Sequence, residues 1–170
     1  MLPTSGVYIN KIILLNLLLK SINLLDITLH LSLNKYFKFN LKKIYKFQLI
    51  NSEPLYINNK FIKKFYKKKT KTKKQKICCF GTNTLRAIEN IYYNNNKLIV
   101  FKGYINLLFP YKYKYKIVNT LLTYFNDINT INFLTTINLC NIETLNKIYK
   151  IAKINNYNFN TYGDLLLIIN

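Results

Sequence analysis

Glycine is almost absent from this 170-residue chain: it occurs four times, and three of the four stand in short polar stretches. These are Pro3-Thr4-Ser5-Gly6, Phe80-Gly81-Thr82-Asn83-Thr84-Leu85-Arg86 and Thr161-Tyr162-Gly163-Asp164. Backbone with positive φ, or backbone approached closely by another group, is what glycine uniquely supplies. Sharp turns can therefore be built in few places. The surrounding sequence has drifted toward Lys, Asn, Ile, Tyr and Leu, the residues of AT-rich codons. Gly81 and the single arginine, Arg86, run against that drift, which marks them as positions held by a physical requirement.

A chain of this length, half hydrophobic and 15% aromatic, buries enough apolar surface to fold as one globular domain over residues 1–170. It carries 26 basic against 6 acidic residues, a net charge of +20. Such a field attracts polyanions and gives salt-dependent, sequence-blind affinity for nucleic acid; the alternative is that codon drift alone produced the lysines. Cys78 and Cys79 are adjacent and Cys140 stands apart, a spacing that fits neither a zinc site nor a secreted disulfide framework. They read as buried thiols of a reducing compartment, and no metal is expected. The apolar stretch from Ile12 to Leu25 is interrupted by Asn16, Lys20 and Asn23 and is too short to span a bilayer. It predicts a packed helix of a cytoplasmic protein with no membrane association.

Apolar spacing predicts a first helix through Ile9, Ile12, Ile13, Leu17 and Leu24, then a strand over Ile27 to Leu33 that carries the sole histidine, His30. Tyr36 to Phe39 and Ile44 to Ile50 are further strand candidates, with a turn at Asn51-Ser52-Glu53-Pro54 before Leu55-Tyr56-Ile57. Residues 60–76 hold ten lysines in seventeen positions. Phe61, Ile62, Phe65 and Tyr66 make the first half a basic amphipathic helix, and the second half reads as a solvated loop. Ile77 to Phe80, Gly81-Thr82 and Thr84 to Tyr93 form a strand, a glycine turn and a helix in succession. Leu98 to Phe101 suggests another inner strand, Ile117 to Phe125 a strand or a short helix, Leu145 to Ala152 a helix, and Phe159 to Ile169 a strand broken at Tyr162-Gly163-Asp164. The fold class is α/β, a layered sheet with flanking helices.

A strand that ends in Gly-Thr and enters a helix leaves unpaired amides at the helix start, where an anion or polar ligand edge can be held. Arg86 lies on the first turn, with Glu89 three residues on; an ordinary surface pair between the two is the alternative. The segment Gly81-Thr82-Asn83-Thr84-Leu85-Arg86-Ala87-Ile88-Glu89-Asn90 resembles the G-T-T-S-V-R-x-L-E-S signature of the S-adenosylmethionine:tRNA ribosyltransferase-isomerases. Leu2 to Ile9 resembles that family's A-P-T-A-G-L-H-F, Thr28-Leu29-His30-Leu31 its T-L-H-V, and Asn158 to Ile168 its R-F-F-S-Y-G-D-A-M-L-I. Asn51-Ser52-Glu53 and Ile117 to Thr123 match H-S-E and V-V-D-x-L-L-T more weakly. The motifs occur in the family's order. The resemblance covers its C-terminal portion, truncated and divergent, without the small β-barrel domain of such enzymes. Tyr8, Asn51 and Asn126 stand where the family motifs have histidine.

The resemblance implies transfer and isomerisation of the ribosyl part of S-adenosylmethionine onto 7-aminomethyl-7-deazaguanine in tRNA, giving epoxyqueuosine with loss of adenine and methionine. S-adenosylmethionine is then a substrate, and no cofactor is implied. The partners implied are tRNA, S-adenosylmethionine and a separately encoded N-terminal half. His30, Glu53 and Asp164 become catalytic candidates. Thr4, Gly6, Gly81, Thr82, Arg86, Glu89, Tyr162 and Gly163 become substrate-binding candidates. As residues alone, His30 is the one imidazole and so the candidate for proton transfer, Arg86 offers a bidentate fork to a carboxylate or phosphate, and Glu53 and Asp164 suit a cationic donor or cap turns. The lysines of 60–76 and the Tyr-Lys alternation of 111–116 suit RNA phosphates and bases, or form a solvated surface with the tyrosines turned inward. A non-catalytic basic RNA-binding protein, or an inactive remnant of the enzyme, are the alternative readings.

Overall fold

The structure is a computed structural model that describes residues 9–32, 44–67, 76–128, 130–160 and 162–170. Its helices are α1 (Lys11–Leu19), α2 (Asn59–Lys67), α3 (Thr82–Asn95), α4 (Ile131–Ile137) and α5 (Ile142–Ile154). Its strands are β1 (Thr28–Leu29), β2 (Gln48–Ile57), β3 (Cys78–Phe80), β4 (Phe101–Leu108), β5 (Thr120–Tyr124) and β6 (Leu165–Ile169). The strands form two three-stranded sheets rather than one, ordered β1-β2-β4 and β3-β5-β6. The first is antiparallel throughout; in the second, β3 runs parallel to β5, and β6 antiparallel to β5.

Helix α3 organises the molecule. Every residue from Leu85 to Ile91 is buried, so the helix is enclosed on all sides and packs against β3, β4, β5 and α4. Leu85, Ala87, Ile88 and Ile91 join Leu55 and Ile57 of β2, Leu121 of β5 and Leu134 of α4 in one core. Enclosure also takes Arg86, Glu89 and Asn90 out of water, and polar groups in that position must find partners inside the protein.

Gly81 enters α3 at φ 87°, ψ 144°, a conformation essentially confined to glycine, as its retention in the sequence predicts. Gly163 answers a different requirement: a Cβ there would lie 2.8 Å from the carbonyl carbon of Asn158 and 2.9 Å from that of Phe159. Helix α2 buries Phe61 and Phe65 as expected, and β5 resolves the ambiguity at Ile117 to Phe125 in favour of a strand.

Several expectations are corrected. The turn predicted at 51–54 lies inside β2, where Glu53, Leu55 and Ile57 alternate inward. Pro54 is accommodated there because a register shift separates Leu49 from Glu53 and because its carbonyl, not an N–H, meets β1, accepting from His30 N at 3.0 Å. The strand placed at Leu98 begins only at Phe101, and of the strand expected at 27–33 the described residues, 27–32, form only Thr28–Leu29. Helix α4 was not predicted; it is capped by Thr130, whose hydroxyl accepts from Phe133 N at 3.2 Å. Cys79 is buried but Cys78 is exposed. The packed first helix shortens to α1, which buries none of its residues. It is apolar around its circumference, leaving Ile12 68% and Leu19 82% exposed. The strand candidate at 36–39 and the basic loop after Lys67 lie outside the described residues.

Candidate functional site

Strand β3 ends at the glycine turn, where Gly81 N donates to Leu122 O of β5 at 2.8 Å. Thr82 opens α3 and its hydroxyl donates to Asn132 Oδ1 of α4 at 2.8 Å. Side chains of a helix lean toward its N-terminus, so Arg86, one turn in, reaches back to within 3.4 Å of Asn83 Oδ1. Its main partner is Glu53 of β2: the two form a buried ion pair through Arg86 Nη2 and Glu53 Oε2, each side chain 1% exposed. The other oxygen of Glu53 accepts from the Ser32 amide and hydroxyl at 3.2 and 3.3 Å. The guanidinium is only partly satisfied, since Arg86 Nε and Nη1 are buried without a hydrogen-bond partner.

The surface pair between Arg86 and Glu89 does not form. Glu89 is fully buried and accepts from three successive backbone amides, Lys116 at 3.0 Å and Ile117 and Val118 at 2.8 Å each. Burial raises its carboxyl pKa, and those amide bonds pull it back. Asn90 holds Leu107 of β4 from both sides: its Oδ1 accepts from Leu107 N at 3.2 Å and its Nδ2 donates to Leu107 O at 3.0 Å. The three polar residues of α3 thus fasten it to β2, to β4 and to the approach to β5.

Register brings a second polar turn to the edge of the sheet where Gly81 lies. Phe80 is opposite Leu122 and Tyr124 is opposite Leu165, so the turn before β6 sits beside the end of β5. In it, Asp164 Oδ2 accepts from Asn158 N at 2.7 Å, which closes the turn around Gly163. Asn160 N donates to Phe125 O at 2.7 Å and Asn160 Nδ2 to Asp127 Oδ1 at 3.2 Å. Tyr162 is exposed with φ 67°. Asn126 takes the Tyr149 hydroxyl as acceptor for its amide at 3.0 Å and donates its side chain to Tyr124 O at 2.9 Å. Asn126, which stands where a family motif has histidine, and Asn160, inside the Asn158–Ile168 motif, are not among the predicted site residues; Asn132 is one asparagine among many, with no local pattern to distinguish it.

His30 is set apart. It is exposed and pairs by its backbone with Pro54, on the face of β2 opposite to that of Glu53. A hollow of about 400 Å³ there is lined by His30, Pro54, Leu55, Tyr56, Lys102, Gly103 and Tyr104. Another, of about 500 Å³, runs along Asn59, Lys60, Lys63, Lys64 and Lys67 of α2. Neither is lined by Gly81, Arg86 or Asp164, so His30, Arg86 and Asp164 do not share either hollow. Thr4 and Gly6 lie outside the described residues. In the Tyr-Lys alternation the lysines face outward, while Tyr113 and Tyr115 pack with Phe109. Tyr115 donates to Thr135 O at 3.2 Å, and burial raises its pKa. Among the described residues no three of His, Cys, Asp and Glu come together as a metal site would need, and no helix is long and apolar enough to cross a membrane.

Fold and site together define an α/β domain built round a buried helix that follows a glycine turn and carries a buried ion pair one turn in. The chain belongs to the family described as queuosine biosynthesis protein, whose profile matches residues 1–168. Among its curated relatives are proteins named S-adenosylmethionine:tRNA ribosyltransferase-isomerase. That of Cytophaga hutchinsonii is 29% identical over 98% of this chain and 47% of its own length. That of Buchnera aphidicola is 31% identical over 98% of this chain and 46% of its own length. The chain therefore spans about half the length of these relatives. The crystal structure of S-adenosylmethionine tRNA ribosyltransferase from Thermotoga maritima shares the fold, with a TM-score of 0.77 over 97% of this chain and 51% of the other, at 18% identity.

Proposed function

We propose that this chain acts in ribosyl transfer from S-adenosylmethionine to 7-aminomethyl-7-deazaguanine in tRNA, yielding epoxyqueuosine, adenine and methionine. The observation that carries the reading is the convergence of two separated family-like motifs. Arg86, from the Gly81–Asn90 signature, is joined to Glu53, from Asn51-Ser52-Glu53, inside the core. A charged pair is expensive to bury, and hydrophobic replacement is often neutral or stabilising; a chain that has drifted this far and still holds both partners holds them for more than packing. The buried donors on Nε and Nη1 have no partner in the protein, and either can give a charge-assisted hydrogen bond to the carboxylate of the methionine moiety. Reaching them requires the shell around the first turn of α3 to open.

Glu53 and Glu89 hold other protein groups, and Asp164 closes its own turn, so their role in this reading is to fix the site's shape. Turnover draws on the half of the family fold that these 170 residues do not span. The apolar circumference of α1, with none of its residues buried, supports this, because a helix hydrophobic all round is ordinarily enclosed.

The test is release of adenine from S-adenosylmethionine in the presence of tRNA carrying the 7-aminomethyl-7-deazaguanine base. It is run with the chain alone and with a polypeptide covering the remaining half of the Cytophaga hutchinsonii relative. Release in the combined reaction, abolished by Arg86→Met, is expected. No release in either reaction, with both polypeptides folded, contradicts the proposal.

A further inference from the structure

The sheet face that carries His30 has no place in the Arg86 site. Strand pairing sets Tyr104 opposite Pro54 and Tyr56 opposite Lys102, and His30 lies next to Pro54 on β1. Tyr56 and Tyr104 are thus diagonal neighbours on one face, 46% and 71% exposed, with Lys102 opposite Tyr56 on β4 and His30 on the far side of Pro54 from Tyr104. Among the described residues no side-chain hydrogen bond, ion pair or ring contact engages any of the four. The many other rings of the molecule behave differently: Phe47, Tyr93, Phe109, Tyr113 and Tyr115 pack against one another.

Diagonal neighbours on a sheet face are about 7–8 Å apart, close to twice the roughly 3.4 Å that one stacked base occupies. A base between the two rings contacts both on its π-faces, and Lys102 and His30 are placed to meet its phosphate and sugar edges. Strand β2 then passes through Asn58 into α2. There Lys60, Lys63, Lys64 and Lys67 line one ridge at helical spacing, and no acidic residue lies in the helix's first turn. Like charges at such spacing repel one another, a cost that a polyanion laid along the ridge removes.

We propose that the outer face of β1-β2-β4 is a single-stranded RNA platform: an unpaired base stacks between Tyr56 and Tyr104 while its backbone follows the α2 lysines. This rests on the reading of the chain as acting on tRNA and assigns the surface that would hold the RNA. A protein partner covering the same rings is the competing occupant.

The test uses the full chain and fluorescence anisotropy with a labelled ten-nucleotide single-stranded RNA and an RNA duplex of equal length, over a series of salt concentrations. Tyr56→Ala with Tyr104→Ala is expected to weaken single-strand binding roughly tenfold or more at every salt concentration, with the salt slope unchanged. Tyr56→Phe with Tyr104→Phe keeps the parent affinity, since the rings and not the hydroxyls stack. Lys63→Gln with Lys64→Gln flattens the salt slope by about 0.7 per lost phosphate contact. The proposal is overturned if the alanine pair binds within twofold of the parent, if the duplex binds as tightly as the single strand, or if the parent does not bind RNA. Binding is measured without donor. A chain that holds RNA through these rings while neither it nor the combined reaction releases adenine contradicts the reaction above and leaves this surface standing.

Discussion

Replacing Arg86 by methionine removes one partner of the only ion pair among the described residues and takes the guanidinium away from Glu53, 1% exposed, inside the core. Breaking a buried pair by removing one partner costs about 3–5 kcal/mol. For a chain of this size 1 kcal/mol moves the melting midpoint by about 2–4 °C, so the expected fall is roughly 6–20 °C. Replacing Glu53 by leucine alone strands the guanidinium instead and carries a comparable cost. The pair Arg86→Met with Glu53→Leu leaves no buried charge behind and is expected to cost less than the two single changes together by at least about 2 kcal/mol. Urea unfolding at constant slope measures all three. A loss under about 1 kcal/mol for Arg86→Met, or simple additivity of the two changes, would refute the assignment of this pair as the link between α3 and β2.

Gly81→Ala forces an L-side chain into φ 87° and is expected to destabilise by about 1–3 kcal/mol, measured by urea midpoint. Glu89→Ala leaves the amides of Lys116, Ile117 and Val118 without an acceptor; hydrogen exchange should show these three amides losing protection selectively. Burial pushes the Tyr149 hydroxyl up to about 12, whereas an unfolded tyrosine ionises near 10. The folded state therefore keeps a proton that the unfolded state gives up, so this group's contribution to stability falls as pH rises from about 10 to 12. In spectrophotometric titration Tyr149→Phe should remove an ionisation near pH 12.

What was legible in the sequence was local and stereochemical. Gly81 announced a positive φ because few other residues could adopt one there, and α2 and α5 announced themselves by apolar spacing. What stayed hidden was set by tertiary context. Asn51-Ser52-Glu53-Pro54 has the composition of a turn, yet β2 runs through it because Glu53 is drawn inward by Arg86, 33 positions away in sequence. Glu89 looked like a surface partner for Arg86, and only the enclosure of α3 shows that its acceptors serve the 116–118 backbone. His30 drew attention as the sole imidazole, but the pleat places it on the face opposite to Glu53, a matter of register that composition does not encode. The apolar content that predicts a packed helix at α1 in fact surrounds it on every side, and none of it is buried.

Because Arg86 is the only arginine in the chain, isotope-labelled arginine gives a single Nε–H resonance that needs no assignment, and its nitrogen lacks a hydrogen-bond partner in the structure. Titration with S-adenosylmethionine, in the presence of the remaining half of the family fold and precursor tRNA, should shift that resonance in a saturable way as a carboxylate engages the guanidinium. A resonance that stays fixed through saturating donor would contradict the claim that Arg86 is the donor-binding group.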